Sequence, residues 1–220
     1  LHIVSRRQRQ MCIRDSITVL LTPAVTVMVI QFSARGNRSL PIVSVPAEQA
    51  QEQPAYLLTV KLHNQRSLRS AEQKQAIDDA LAMAREVCAL YPGFAFAIQE
   101  RGLALLISKA ETNGLRAIYA SLLLQRLLRE YETQGEFRCH LCNIISPKDP
   151  AETTAMTVDA IEAVTNLEQN LTLASLAKSE TALMTAEVFA DLTQEQCGWA
   201  QEFTHPILED IAPQQMFYSI

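Results

Sequence analysis

The stretch AFAIQERGLALLIS, residues 95–108, contains two apolar runs separated by a polar tip. The runs are Ala95–Ile98 and Leu103–Ser108, and the tip is Gln99–Gly102. Short apolar runs on either side of a glycine-containing tip are typical of a β-hairpin. We therefore predict two antiparallel strands, with Gly102 making the tight turn. A hairpin at this point argues against a Rossmann-type sheet, because the strands of such a sheet are joined by crossover helices.

Helical and extended patterns alternate on both sides of this hairpin. A β-rich run, 56–62, precedes a helix that we expect to begin at Ser70 and to end before Tyr91. A second amphipathic helix is predicted over Leu115–Tyr131, and another strand over Phe137–Ile145. The first six elements then have the order β-α-β-β-α-β, which is the split unit of a ferredoxin-like sheet. The sequence therefore predicts an α+β fold with a ferredoxin-like core.

Five further elements are expected after this core. They are a helix over 156–176, a strand over 181–184, a helical turn over 187–192, and two strands over 199–204 and 215–219. The apolar helix LRAIYASLLLQRLLREY carries five leucines at 122–124 and 127–128, which is more than one buried stripe requires. We leave open whether this excess is core or a dimer surface.

The composition excludes several classes of protein. Hydrophobic residues make up 48% of the 220 residues, which is typical of a folded, helix-rich chain. The net charge of −5 argues against a nucleic-acid partner, because affinity for phosphate backbones depends on lysine and arginine. The five cysteines are an odd number at irregular spacing and do not indicate a disulfide framework, so a reducing compartment is expected.

The first 54 residues differ from the rest of the chain. Residues 1–16 include RRQRQMCIRDS, which resembles translated sequencing-adaptor read-through, with the basic flank of a membrane helix as the alternative. Residues 17–33 begin with a run of sixteen uncharged residues, 17–32, and are interpreted as a transmembrane helix, possibly truncated, rather than a signal peptide. Residues 34–54 are rich in proline and polar residues and are interpreted as a linker. The domain proper is expected over 55–220, on the cytoplasmic side of the inner membrane.

The element order of residues 55–220 resembles the catalytic domain of class III nucleotidyl (adenylate/guanylate) cyclases. Two local patterns support the resemblance: ALMTAEVFADL is similar to the family's strand that leads to a short helix, and PILEDIAPQQMFYSI is similar to its closing strand. The overall layout also resembles AhpA-type bacterial membrane proteins, in which a membrane region precedes such a domain. The resemblance implies the extended ferredoxin-like fold of the family and a dimer in which each chain supplies half of a composite site.

The metal-binding positions implied by the resemblance do not hold carboxylates. The family's first metal-binding aspartate corresponds to Lys61, and the second corresponds to Leu103, directly after Gly102. The enzymes need carboxylates to hold two Mg²⁺ ions against a polyphosphate. Lys61 places a positive charge at one of these positions, and Leu103 has no ligand atom.

The remaining family positions have also changed. The transition-state asparagine corresponds to Glu162 and the phosphate-binding arginine to Asn166, so an anion replaces a neutral group and a cation is lost. The two base-recognition positions correspond to Gln99 and Ala155. Asp159 matches the aspartate that opens the family's helix.

Another candidate site is Cys139-His140-Leu141-Cys142 on the predicted strand. A zinc site needs four ligands, and no second CxxC or HxxxH lies nearby. Cys139 and Cys142 are three residues apart and therefore point to opposite faces of a strand. We interpret them as small buried residues of the strand. The sequence indicates neither a metal nor a cofactor.

We therefore expect a non-catalytic cyclase-homology module for dimerisation or signal relay in a membrane-anchored bacterial protein. Its partner is expected to be a second copy or a cyclase-like partner domain. Three alternatives stay open: a nucleotide-binding sensor without turnover, an active cyclase with unconventional metal ligands, and a plain ferredoxin-like interaction domain.

Overall fold

A computed structural model describes residues 53–110, 112–131, 134–146, 150 and 158–220. The predicted segments 1–16 and 17–33, almost all of the predicted linker 34–54, and Ala155 lie outside the described residues. Among the described residues, no helix combines the length and the apolar character that crossing a membrane requires.

Seven strands form one sheet. They are β1 (Gln53–Leu62), β2 (Gly93–Ile98), β3 (Gly102–Ser108), β4 (Phe137–Ser146), β5 (Ala182–Thr185), β6 (Gln201–Phe203) and β7 (Phe217–Ser219). Their spatial order is β2-β3-β1-β4-β5-β7-β6, and the β4–β5 pair is parallel while the other pairs are antiparallel. The first four strands have the order of a ferredoxin-like unit, which confirms the predicted α+β core.

Seven helices are described. They are α1 (Ser70–Leu90), α2 (Gly114–Glu130), α3 (Val158–Glu162), α4 (Leu167–Leu176), α5 (Ala186–Ala190), α6 (Gln194–Cys197) and α7 (Leu208–Ile211). The predicted positions of α1 and α2 are confirmed to within two residues. The prediction of one helix over 156–176 is wrong, because the chain leaves the helical path after Glu162 and restarts at Leu167 with Asn166 as its N-cap. The Asn166 side chain accepts a hydrogen bond from the Gln169 amide at 3.0 Å, which is the local reason for a new helix start.

The hairpin forms where the sequence predicts it, but its turn is made differently. The tip is a short 3₁₀ turn, Gln99–Arg101, and Gln99 adopts a left-handed backbone conformation with φ of 45°. Gly102 is the first residue of β3 and pairs with Lys61 of β1. A Cβ atom on Gly102 would collide with the Val60 carbonyl oxygen. The glycine is therefore required by the close approach of β1 and not by the turn itself.

The sheet separates two main apolar layers. On one face, α1 and α2 pack on alternate residues of the central strands; this α1/α2 core contains Leu58, Val60, Leu103, Leu105, Ala80, Ala84, Ile118 and Leu124. On the other face, α3 and α4 pack on the intervening residues; this α4 core contains Leu57, Ala104, Leu106, Cys142, Ile161, Leu167 and Leu171. The period of two along a strand divides neighbouring residues between the layers.

The excess leucines of α2 belong to the core. Leu124 and Leu128 are buried, and Leu122, Leu123 and Leu127 are half-buried against the α1/α2 core. The helix α2 needs a wide apolar face because it packs across several strands of the sheet. The alternative that these leucines form an exposed dimer surface is therefore not favoured.

Candidate functional site

Lys61 lies near the end of β1, between two neighbouring strands. It is directly opposite Gly102 on β3 and Arg138 on β4. The side chain is half-buried, and burial together with the nearby Arg101 guanidinium lowers the pKa of Lys61, an effect that Glu168 partly opposes. The position that the resemblance assigns to a metal-binding carboxylate thus carries a lysine among other charged groups.

Leu103 points away from Lys61. It pairs with Val60 and lies in the α1/α2 core, where it is fully buried. Lys61 belongs to the opposite face of the sheet, because it is the next residue along β1 after Val60. The two positions therefore lie on opposite faces of the sheet. No substitution of Leu103 alone would bring a side chain towards Lys61.

An ion pair connects the hairpin tip to α4 beside Lys61. Both terminal nitrogens of Arg101 donate to the two carboxylate oxygens of Glu168. These hydrogen bonds lower the pKa of Glu168 and raise that of Arg101, and Glu162 adds to the effect on Arg101. The arrangement is a bidentate arginine–carboxylate pair, which has a more fixed geometry than a single contact.

The other positions assigned from the resemblance are spread apart. Glu162 is an exposed residue at the end of α3, whereas Asn166 caps α4, so the two do not share one helix. Gln99 is exposed at the hairpin tip. Asp159 is exposed in the first turn of α3. The site near β1 is therefore built from Lys61, Arg101 and Glu168, with Glu162 contributing charge from a greater distance.

Arg101 and Glu168 were not singled out from the sequence. Arg101 belongs to a polar hairpin tip and Glu168 to an amphipathic helix, and both patterns are typical of ordinary solvated residues. They are 67 residues apart in the chain, so only the packing of α4 against the sheet brings them together. A half-buried lysine requires an opposite charge nearby, but this requirement does not identify Glu168 as the residue that supplies it.

The Cys139–Cys142 segment is a buried part of β4. Cys139 lies in the α1/α2 core and Cys142 in the α4 core, which confirms that they point to opposite faces. Burial raises the pKa of both thiols to about 12, so neither is a thiolate at neutral pH. The Cys142 thiol donates to the Asn170 side chain at 3.4 Å.

His140 is fully buried on β4, opposite Thr59 of β1. Within the described residues, neither ring nitrogen of His140 nor the Thr59 hydroxyl has a hydrogen-bond partner. Burial lowers the pKa of His140 to about 3, although the nearby Asn170 side chain opposes this shift. The imidazole is therefore neutral at physiological pH.

A separate polar cluster lies at the other end of β1. Asp191 accepts hydrogen bonds from the Tyr56 hydroxyl at 2.9 Å and from the Lys109 ammonium at 2.7 Å. Burial would raise the pKa of Asp191, but the hydrogen bonds from Lys109 and Tyr56 outweigh it, so the pKa is lowered. The Lys109 nitrogen also lies 4.6 Å from the centre of the Tyr56 ring. This cluster ties β1 and the end of β3 to the residue after α5.

No three histidine, cysteine, aspartate or glutamate side chains converge to hold a metal ion among the residues that the structure describes. Beside β1, the Glu168 carboxylate is paired with Arg101.

Comparison with known proteins is informative at the level of the fold. Neither a protein-family model nor a curated protein sequence matches the chain. Among solved structures, the guanylyl cyclase Cya2 superposes with a TM-score of 0.55 at 12% identity, covering 76% of this chain and 91% of that one. The described domain has the class III cyclase fold.

Two further structures support this assignment of the fold. The catalytic core of a rhodopsin-guanylyl cyclase with converted specificity, in complex with ATPαS, gives a TM-score of 0.55 at 7% identity and covers 77% of this chain and 96% of that one. The guanylate cyclase domain of RhGC from Catenaria anguillulae, in complex with GTP, gives a TM-score of 0.52 at 8% identity. This match covers 76% of this chain and 95% of that one. This cyclase-fold domain is therefore strongly divergent in sequence, as the predicted resemblance implies.

Proposed function

We propose that this chain is a non-catalytic cyclase-fold module whose role is dimerisation or signal relay in a membrane-anchored bacterial protein. The observation that carries the proposal is the set of charges at the end of β1. Lys61 takes the place that the resemblance assigns to a carboxylate, and the Arg101–Glu168 pair lies beside it.

The electrostatics of this group oppose metal-dependent chemistry. Two Mg²⁺ ions require oxygen ligands, and the half-buried Lys61 ammonium would repel a cation placed beside it. The Glu168 carboxylate acts on Lys61, but both of its oxygens accept hydrogen bonds from Arg101. Leu103 is fixed in the opposite core. The fold is thus kept while the groups needed to neutralise a polyphosphate have changed.

The proposed partner is a second copy of this chain or another cyclase-fold domain. The resemblance to enzymes that act as dimers supports this choice. We also propose that residues 17–33 anchor the protein in the inner membrane with the domain facing the cytoplasm, because this apolar segment is followed by Arg35 and Arg38. Membrane fractionation of the expressed chain, with and without residues 17–33, tests the anchoring.

An activity assay and a sedimentation experiment test the main proposal. The full chain is incubated with ATP or GTP and with Mg²⁺ or Mn²⁺, and the cyclic product is measured against heat-denatured protein. We expect no product above that background and a concentration-dependent dimer in sedimentation equilibrium. Cyclic nucleotide formation by the intact chain would show instead an active cyclase with unconventional metal ligands. A monomer at all concentrations would favour a plain interaction domain.

A nucleotide-binding sensor is the second candidate, and Lys61 is the reason to keep it. Within the described residues Lys61 makes no ion pair, so its ammonium group is available for a phosphate oxygen. Two similar structures contain ATPαS or GTP. A rise in melting temperature with ATP or GTP that is lost in Lys61→Gln would support this role. An equal rise in Lys61→Gln would assign the binding to another site.

A further inference from the structure

A cavity of about 440 Å³ lies between the C-terminal half of α2, the start of β4 and the turn before β5. Its volume is in the range of small-molecule sites in proteins. Lys61, Arg101 and Glu168 do not line it, although Arg138, which does, is the cross-strand neighbour of Lys61. Nothing in the proposed function requires this cavity.

The cavity follows from the unequal lengths of two neighbouring strands. The pairing of β5 with β4 starts at Ala182 opposite Cys139. Phe137 and Arg138 of β4 therefore extend beyond β5, and the turn containing Ser179 and Glu180 covers only part of the space beside them. The opening thus lies where the two strands differ in length.

The charged residues around the cavity favour an anion. Three arginines line it, Arg126, Arg129 and Arg138, together with two glutamates, Glu136 and Glu180. Glu130, which pairs with Arg126, lies just outside the lining, so the positive and negative charges at the cavity balance, whereas the chain as a whole carries −5. A concave surface with three guanidinium groups and no net negative charge is a more favourable place for an anion than the rest of this acidic protein.

Arg138 is the best-positioned cation in this group. It lines the cavity and donates one hydrogen bond to the Ala177 carbonyl oxygen at 2.7 Å, which fixes the guanidinium group next to the turn before β5. In the described part of the chain Arg138 has no carboxylate partner. A guanidinium group has five N–H donors, so most of them are free to bind an oxyanion in the bidentate geometry that arginine favours.

The other two arginines are paired only at the surface. Arg129 pairs with Glu180 and Arg126 pairs with Glu130, and more than half of each of these four side chains is exposed. Exposed ion pairs contribute little to stability, so a bound anion can replace one of the glutamates at low cost.

The rest of the lining is apolar. Leu122 and Leu128 of α2 and Phe137 of β4 form this part of the wall. Leu128 is buried, whereas Leu122 and Phe137 are half-buried and leave apolar surface facing the opening. A ligand that covers these groups as well as Arg138 would gain from burial of its own apolar surface.

We infer that this cavity is a binding site for a small anion that carries a flat apolar group, with Arg138 holding its phosphate or carboxylate. The apolar group packs on Leu122 and Phe137, and Arg126 or Arg129 gives a second charged contact. The site belongs to one chain, and it operates whether or not the protein dimerises or binds nucleotide at Lys61.

Four simple compounds test this site by calorimetric titration of the full chain. Phenyl phosphate carries both features, inorganic phosphate has only the charge, phenol has only the ring, and benzoate exchanges the phosphate for a carboxylate. We expect phenyl phosphate or benzoate to bind at least about tenfold more tightly than inorganic phosphate and phenol. The better of the two identifies the preferred anion.

Variants locate the binding. Arg138→Gln removes the charge but keeps an amide donor for Ala177, and it should weaken binding of the aromatic anion about tenfold. Ser179→Glu adds a negative charge at the rim and should weaken it as well. Arg85→Gln on α1 is the matched control, because Arg85 is exposed and does not line the cavity.

Three results would overturn the proposal. The first is no saturable binding of either aromatic anion at about 10 mM, where a complex with a 1 mM dissociation constant would be mostly formed. The second is equal binding of phenol, which would show that the charge is not recognised. The third is unchanged binding in both Arg138→Gln and Ser179→Glu with circular dichroism of folded protein, which would place the site elsewhere.

Discussion

Arg101 at the hairpin tip forms a two-pronged ion pair with Glu168 on α4, next to Lys61. The pair joins the hairpin tip to α4 on one side of the sheet. The carboxylate that raises the pKa of Lys61 is therefore already paired with another cation.

Glu168→Gln should lower the free energy of unfolding by about 0.5–1 kcal/mol at neutral pH and low salt, because a bidentate but exposed pair is lost. Urea denaturation measures the change, and 1 M NaCl should reduce it. Glu130→Gln is the matched control, since it removes an exposed pair with Arg126 within one helix.

The folded state lowers the pKa of Glu168, so this contribution is present above about pH 4.5 and is lost as the pH falls below it. A salt-independent loss would argue against the ion pair.

Gly102→Ala should destabilise the domain by about 1–3 kcal/mol, because the added Cβ meets the Val60 carbonyl oxygen of the adjacent strand. Gly198→Ala provides the contrast, since Gly198 has helical torsion angles and its added Cβ would have 3.7 Å of clearance from Glu195. That variant should be neutral or slightly stabilising. Thermal and urea unfolding of both proteins measure the difference. Equal stability of the two variants would contradict the assigned strand contact.

His140→Phe should remove part of the acid sensitivity of the domain. In the folded state burial lowers the pKa of His140 to about 3, whereas the unfolded chain titrates near 6.5. The unfolded state therefore binds an extra proton between these values, and stability is lost as the pH falls from about 6.5 towards 3, by an amount on the order of 4 kcal/mol.

The measurement is the slope of unfolding free energy against pH, obtained between pH 4 and pH 7 for both proteins. The variant should show a shallower slope. Its free energy of unfolding at pH 7 should change little, because neither ring nitrogen of His140 has a partner among the described residues. Parallel slopes for the two proteins would mean that His140 is protonated or solvated in the folded state.

Tyr56→Phe should cost about 1–2 kcal/mol, because it removes the hydroxyl that donates to the Asp191 carboxylate from a fully buried position. Tyr119→Phe, with 42% of the side chain exposed, should change the stability by less than about 0.5 kcal/mol. The two variants differ from their parent by the same atom, so their urea midpoints compare burial directly. A similar small effect in both would show that Lys109 alone satisfies Asp191.

Local sequence patterns were enough to predict the order of the first six elements and the two-sided character of the strands. Hydrophobic periods of two and of three to four are local properties, and they located the hairpin, α1, α2 and β4 to within a few residues. The same alternation separated Cys139 from Cys142. It also showed that the positions of Lys61 and Leu103 lack carboxylates, because this follows from residue identity alone.

Which charges meet depends on contacts between segments that are distant in the sequence. The break between α3 and α4 depends on a cap at Asn166, and that break decides that Glu168 rather than Glu162 faces Arg101. Gly102 was placed correctly but for the wrong reason, because the contact that requires it comes from β1 about 40 residues earlier. The cavity beside Arg138 depends on where β5 begins relative to β4. These features arise from contacts between distant segments, and a local pattern contains no information about the distance between them.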